Sequence, residues 1–161
     1  RALASDVLGP LSLSQPFTRS SLVPPRRLAW GHQWDGDRWV PVQPKDDSIM
    51  HAAGGMFASS RDLAKWIGAQ IRFGEGQSTI ARSDFEATHV DLTNGGLGEG
   101  GFGINCEGYS LGWSLCTYQG QRMLYHGGTY TGVRTHLFML PAHKTGVAII
   151  ANQAGEVDSA G

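Results

Sequence analysis

The spacing of apolar residues predicts a helix in the middle of the chain. Leucine, tryptophan and isoleucine side chains recur every three or four positions between 63 and 71, which is the period of an amphipathic helix. Ser59 precedes this run and can cap the helix, while Gly74 follows the run as a stop signal. The pattern therefore predicts one helix between these two residues.

Other local signals surround this helix. Proline and serine residues interrupt segment 1–27, where a short helix is predicted to end near positions 8–9. The dipeptide at 35–36, Asp-Gly between aromatic residues, predicts a β-hairpin. A second helix is predicted to begin at Ser83, with Glu86 completing a capping box.

The residues after Tyr109 follow a strand pattern instead of a helical one. The predicted strands are 109–118, 122–126, 133–140 and 147–151, with turns at 119–120 and 141–145. Consecutive strands with short connections favour an antiparallel meander. Because helices precede this sheet, we expect an α+β fold.

Composition narrows the classes of function. The chain has 161 residues and a mass of 17.3 kDa, so it is one domain or a piece of a larger one. Its 13 basic and 14 acidic residues give a net charge of −1, which argues against a nucleic-acid partner or a polybasic membrane patch. The longest apolar run, 146–151, is far shorter than the ~20 residues of a membrane span.

The stretch between the two cysteines, Cys106 and Cys116, is mostly predicted strand, which begins at Tyr109. An extended chain would hold them too far apart to bond, since a disulfide needs Cα atoms within about 7 Å. We therefore expect two small apolar side chains and no disulfide, and the redox compartment stays open.

Two common kinds of site are not supported by residue spacing. Gly96, Gly98 and Gly101 match the dinucleotide pattern, but here a predicted helix precedes and a predicted strand follows, which reverses the order that motif needs. None of the six histidines pairs with another at i, i+4 on a predicted helix. We expect a surface loop at the glycines and no metal site.

One segment remains as candidate chemistry, the run His126, Gly127, Gly128 and Thr129. It places a histidine on a strand and then two glycines that let a ligand or another backbone come close. A free N–H at such a strand edge can stabilise an oxyanion. The alternative interpretation is a histidine in a glycine-rich β-turn.

Several blocks, in order, resemble the serine β-lactamase and penicillin-binding-protein-like family, especially its class C and esterase branch. The blocks are LAWGHQWDGDRWVPV, HAAGGMFASSRDLAKW, YSLGW and YHGGTYTGVRTHLFMLPAHKTGVAIIANQ. The resemblance covers roughly residues 5–153. Four blocks in the family's order make coincidence a poor explanation.

The resemblance implies the carboxyl-terminal part of the β-lactamase/transpeptidase-like fold. Residues 1–108 would be the end of the helical lobe with a hairpin and a glycine-rich loop, and residues 109–161 would be sheet strands. The family's Ser-x-x-Lys and Tyr-x-Asn motifs do not occur in this sequence, so we expect them upstream of Arg1. Part of the sheet would then need the missing N-terminal portion as its cover, and the resemblance implies a periplasmic or secreted location.

Two segments compete for the family's third motif, the literal Lys-Thr-Gly at 144–146 and the variant beginning at His126. The first lies in the predicted turn that begins at Pro141, one strand too late in the family's order, so we favour His126. By resemblance, His126 would act in catalysis, Gly127 and Gly128 would line the substrate site, and the Thr129 N–H would join the oxyanion hole.

The function implied is acyl transfer by a serine hydrolase through an acyl-enzyme, with no metal and no cofactor. The substrate would be a small ester, amide or β-lactam. Replacement of the motif's lysine by histidine favours an esterase or peptidase over an efficient β-lactamase.

One alternative is a non-catalytic binding or regulatory relative of the same fold. Another is a β-rich glycan- or ligand-binding domain, suggested by five tryptophans.

Overall fold

The second half of the chain forms a six-stranded antiparallel sheet in which each strand pairs with the next one along the chain. A computed structural model describes residues 3–13, 17–48, 51–72, 80–93, 98–99 and 103–154. The sheet strands are β3 (Gly98–Glu99), β4 (Ile104–Tyr109), β5 (Ser114–Tyr118), β6 (Gln121–Tyr130), β7 (Val133–Leu140) and β8 (Thr145–Ala151). The predicted meander and the α+β class are therefore confirmed.

The first half supplies short helices and a separate hairpin. The hairpin strands are β1 (Gly31–Trp34) and β2 (Trp39–Val42), and the helices are α1 (His51–Gly54), α2 (Ser60–Arg72) and α3 (Arg82–Ala87). A π-helical turn spans Leu3–Leu8, and 3-10 turns span Ser20–Leu22, Pro25–Arg27 and Pro141–His143. Across the described ranges, no helix combines the length and the apolar character that a bilayer crossing requires.

Helix α2 begins where the sequence predicts it, because two side chains cap its first turn reciprocally. The Asp62 N–H donates to Ser59 Oγ at 3.2 Å, and the Ser59 hydroxyl donates to Asp62 Oδ2 at 2.7 Å. Asp62 is almost completely buried. This pair satisfies N–H groups that have no partner within the helix.

The capping box predicted for the second helix is wrong. Helix α3 starts at Arg82, and its N-cap, Ala81, makes no side-chain hydrogen bond. Ser83 therefore lies inside the first turn. Glu86 instead accepts a hydrogen bond from Arg82 Nε at 2.6 Å, which is the i, i+4 pairing of an exposed helix face.

Helix α2 covers one face of the sheet at strands β7 and β8. Its residue Ile67 packs with Trp113, Leu124 and Met139 to form the main buried cluster. Gly146 on β8 permits the close approach, because a Cβ at that position would lie 2.2 Å from Ile67 Cγ2. A glycine in β8 is therefore required by helix packing.

The opposite face of the sheet contains a disulfide, which corrects the expectation of unpaired cysteines. Cys106 on β4 and Cys116 on β5 are bonded and lie directly opposite each other, with Cα atoms 3.9 Å apart. The predicted strand 109–118 is in fact interrupted, since the chain reverses between β4 and β5. Gly112 adopts a positive φ of 87° in this turn, and the Ser110 N–H donates to the Trp113 carbonyl at 2.8 Å.

A buried polar contact ties helix α2 to the end of α3 and to β6. His89 Nε2 lies 2.9 Å from Gln70 Oε1, and both residues are buried. Arg122 donates from Nη2 to the His89 carbonyl at 2.6 Å. Burial, followed by the nearby Arg122 charge, lowers the pKa of His89 to about 4.

The disulfide is expected to contribute measurably to the free energy of unfolding. Replacing both Cys106 and Cys116 by serine is expected to lower the free energy of unfolding by about 2–3 kcal/mol, because the bond closes a short loop in the unfolded chain. Urea unfolding with and without dithiothreitol measures this. The reductant should destabilise the wild type and leave the double variant unchanged. Two reactive thiols in the unreduced wild-type protein would contradict the bond.

The low pKa of His89 predicts acid sensitivity. The unfolded chain takes up a proton near an ordinary histidine pKa of 6.5, whereas the folded protein resists it until about 4. Stability should therefore fall as the pH drops through this window, by at most about 3 kcal/mol. Urea unfolding at several pH values, compared with His89→Gln, measures the effect. Parallel stability curves for the two proteins would contradict it.

Candidate active site

Strand β6 is longer than its neighbour β5, and this difference leaves part of its edge unpaired. The pairing between them runs from Tyr118 opposite Gln121 to Ser114 opposite Tyr125. Beyond that point β6 continues to Tyr130 and pairs only with β7. No strand in the described ranges pairs with the other side of residues 126–130. We call this side of 126–130 the open edge.

The register shows which backbone groups face the open edge. Tyr130 and Val133 flank a two-residue turn and pair across it, so they form a hydrogen-bonded pair. Backbone groups alternate in direction along a strand. The N–H groups of His126 and Gly128 therefore point to β7, while those of Gly127 and Thr129 point to the open edge.

His126 lies on the sheet face that α2 covers. It stands opposite Leu137, which packs against the main buried cluster, and residues directly opposite share a face. Its half-buried ring places Nε2 3.0 Å from the Tyr109 hydroxyl oxygen. The two ring centroids are 6.2 Å apart. In the sequence, Tyr109 stands out only as the first residue of the YSLGW block, and nothing there indicates a role for it.

The two glycines are required by close neighbours. A Cβ on Gly127 would lie 2.4 Å from the Tyr125 hydroxyl, and one on Gly128 would lie 2.7 Å from Thr135 Oγ1. Both Gly128 and Thr129 are exposed. The open edge is therefore accessible at the positions predicted to bind substrate.

A second tyrosine–histidine pair, which sequence reasoning missed, lies on the opposite face of the same strand. The Tyr125 hydroxyl lies 2.9 Å from His136 Nδ1, and their rings stack with that of Phe138. Burial raises the pKa of Tyr125. Its only sequence signal is the alternation of β6 and β7, which places these three side chains on one face.

The competing Lys-Thr-Gly segment lies in a different place. Lys144 ends the turn after β7 with a positive φ of 48°, and Gly146 packs against Ile67 on β8. The structure thus places His126, Gly127, Gly128 and Thr129 along one stretch of β6 that runs from half-buried to exposed, and it does not bring the Lys-Thr-Gly segment there. The choice of His126 as a catalytic residue remains a proposal.

The sequence also contains the literal spacing of a nucleophile elbow, Gly-x-Ser-x-Gly, at 108–112. Its serine, Ser110, is buried and donates from Oγ to the Ala87 carbonyl at 3.3 Å. It lies in a turn between two antiparallel strands, whereas a nucleophile elbow connects a strand to a helix and exposes its serine. Ser110 is therefore structural.

The structure describes only part of the dinucleotide-like glycine pattern and of the chain that was considered for a metal site. Of the dinucleotide-like glycines, Gly98 lies in β3, and Gly96 and Gly101 fall outside the described residues. Within the described ranges there is no group of three or more histidine, cysteine, aspartate or glutamate side chains that could hold a metal ion.

The β1–β2 hairpin packs against the turn that ends β6. The His32 N–H donates to the Gly132 carbonyl at 3.1 Å, and the His32 carbonyl accepts from the Ala154 N–H at 3.0 Å. A Cβ on Gly132 would lie 2.3 Å from Val42 Cγ2. The hairpin therefore bounds the far end of the open edge.

The sequence matches the Beta-lactamase family across residues 1–161, and the chain belongs to that family. A curated relative, the "Unguisins hydrolase ungD" of Aspergillus violaceofuscus (strain CBS 115571), is 29% identical over 129 residues. That match covers 73% of this chain and 23% of the relative. The family resemblance drawn from the sequence blocks is therefore confirmed.

Solved structures show the same fold. An octameric penicillin-binding protein homologue from Pyrococcus abyssi superposes with a TM-score of 0.74 and 23% identity, over 95% of this chain and 33% of that chain. A class C beta-lactamase superposes with a TM-score of 0.66 and 20% identity, over 98% of this chain and 47% of that one. This chain thus spans a third to a half of the length of these neighbours and about a quarter of the fungal relative.

Proposed function

We propose that this chain forms one wall of the active site of a serine hydrolase that transfers an acyl group through an acyl-enzyme. The observation that carries the proposal is the open edge of β6, where the exposed residue Thr129 lies three residues after His126 and its N–H points away from β7. Membership of the Beta-lactamase family supports the hydrolase class, and the fungal relative is itself named a hydrolase.

The open edge can stabilise the charge that develops during acyl transfer. When a serine oxygen attacks a carbonyl carbon, the carbonyl oxygen becomes an oxyanion, and a fixed backbone N–H stabilises it. The Thr129 N–H would serve as one such donor, because β7 holds the strand along its other side. His126 would contribute a polar ring beside the reacting groups, and the glycines at 127 and 128 would let the substrate approach the backbone.

The proposal places the nucleophile outside these 161 residues. The sequence contains neither Ser-x-x-Lys nor Tyr-x-Asn, and Ser110 is buried. The sheet face opposite α2 also carries exposed apolar side chains, Val147 at 49% and Ile149 at 46% exposure. We propose that an N-terminal portion of the same fold supplies the serine and covers apolar sheet surface.

The proposed substrates are small esters or amides rather than β-lactams. An imidazole is a weaker fixed cation near neutral pH than the ammonium group of the family's lysine. A site built around histidine therefore holds an anionic substrate less firmly. Turnover of a β-lactam as fast as that of a simple ester would contradict this preference.

A fluorophosphonate probe, which labels activated serines, tests the proposal when combined with intact-mass measurement. A labelled protein larger than 17.3 kDa, with the adduct on a serine beyond this chain, is the expected result. A label on the 17.3 kDa chain that disappears in Ser110→Ala would make Ser110 the nucleophile instead. An unlabelled longer protein would favour the non-catalytic binding or regulatory alternative.

His126→Ala is expected to lower the turnover of the longer enzyme, measured without the probe, about 10²-fold, since it removes a polar group beside the developing charge. The change should leave the thermal midpoint near that of the wild type, because the ring is only half buried. Ester hydrolysis measured for the two proteins gives the ratio. An unchanged rate would refute the role of His126.

Thr129→Pro tests the backbone donor directly. Proline removes the N–H of residue 129, and a strand tolerates proline where that N–H points away from its partner. We expect turnover to fall about 10²–10³-fold in a protein that remains folded. Thr129→Val is the matched control, because it keeps the N–H and should keep the activity. Equal rates for the two variants would contradict the proposed donor.

A further inference from the structure

Tyr109 contacts His126 beside the first residue of β5, Ser114. Tyr109 closes β4 and pairs with Ser114, which in turn pairs with Tyr125 on β6. His126 is therefore the first residue of β6 that has no partner on β5. The Tyr109 hydroxyl lies 3.0 Å from His126 Nε2, and it is the only hydrogen-bond partner of this ring among the residues that the structure describes.

Two hydrogen bonds fix the backbone of Tyr109. Its N–H donates to Thr93 Oγ1 at 3.1 Å, and its carbonyl accepts from the Leu92 N–H at 3.0 Å. The tight turn that follows it is anchored by the buried Trp113. Three residues earlier, the disulfide at Cys106 holds β4 to β5. Tyr109 is thus a fixed point against which the ring of His126 can be oriented.

The direction of this hydrogen bond follows from the chemistry of the two groups. A phenol O–H is a better donor than a neutral imidazole N–H, and an unprotonated imidazole nitrogen is a good acceptor. The Tyr109 hydroxyl therefore donates to Nε2. In a neutral ring the proton must then sit on Nδ1, since the hydrogen bond at one nitrogen decides which nitrogen carries it.

We propose that Tyr109 is a positioning residue that holds His126 as the Nδ1-protonated tautomer. The neutral ring then offers its remaining nitrogen as a hydrogen-bond donor. Such a donor suits an acceptor oxygen, such as the carbonyl or carboxylate of an ester or amide substrate. The tautomer is inferred from the Tyr109–His126 hydrogen bond, whereas the role of that tautomer in catalysis rests on the proposed function above.

Tautomer measurement by long-range ¹H–¹⁵N NMR, near pH 8 where ordinary histidines are neutral, tests this inference in the protein. We expect the wild-type His126 signals to report Nδ1–H. Tyr109→Phe removes the hydroxyl and keeps the ring, so His126 should change to the Nε2–H form that free imidazole side chains prefer. A wild-type His126 already in the Nε2–H form would overturn the inference without any variant.

Tyr125→Phe is the matched control, because it removes the other tyrosine–histidine hydrogen bond of the same strand. It should alter the signals of His136 and leave those of His126 unchanged. A change at His126 of equal size in both variants would show a general loosening of the strand and would overturn the specific role of Tyr109.

Kinetics of the longer enzyme, measured without the probe, separate this inference from the proposed function. Tyr109→Phe should lower kcat about tenfold, with KM changed less than twofold, as expected for loss of an orienting hydrogen bond. An unchanged kcat in an active enzyme would overturn the positioning role while leaving the hydrolase assignment intact. An inactive wild type with the Nδ1–H tautomer would refute the hydrolase assignment and leave the orientation of His126 confirmed.

Discussion

The structure depends on a mismatch in strand length. Backbone N–H and C=O groups need hydrogen-bond partners, and β6 has ten residues where β5 has five. Residues 121–125 of β6 therefore pair with β5, and residues 124–130 pair with β7, so that 126–130 are held by β7 alone. An accessible row of backbone donors and acceptors can exist there without unravelling the strand, because β7 pairs with it as far as the turn at Tyr130.

Packing on both faces of the sheet holds the strands around the candidate site. On one face, helix α2 packs Ile67 over Leu124 and Met139, and this cluster fixes β6 just before the site begins. On the other face, the disulfide and the stacked rings of Tyr125, His136 and Phe138 stiffen the same strands. The candidate site thus lies on a rigid element rather than on a loop, which favours precise placement of a catalytic donor.

Local signals in the sequence predicted most of the fold. Caps, glycines and prolines act over a few residues, so the start of α2, the turn at 119–120 and, to within one residue, the turn predicted at 141–145 follow directly from the sequence. The turn at 110–113 could not, because its apolar residues continue the strand pattern, and missing it also hid the disulfide. The run from His126 to Thr129 was recognisable as one segment. Tyr109 was not recognisable as its partner, since that contact depends on a register shift between Cys106 and Gly108.

The order of the strands also bears on how the chain folds. Every sheet strand pairs with its neighbour in sequence, so each hairpin closes only a short loop and costs little chain entropy. The open edge belongs to the β6–β7 hairpin, whose turn has two residues. Its boundary is non-local, because contacts of the β1–β2 hairpin with Asn152 span 120 positions. Strand β6 can therefore form early, whereas the boundary made by the β1–β2 hairpin is completed only when segments 120 positions apart meet.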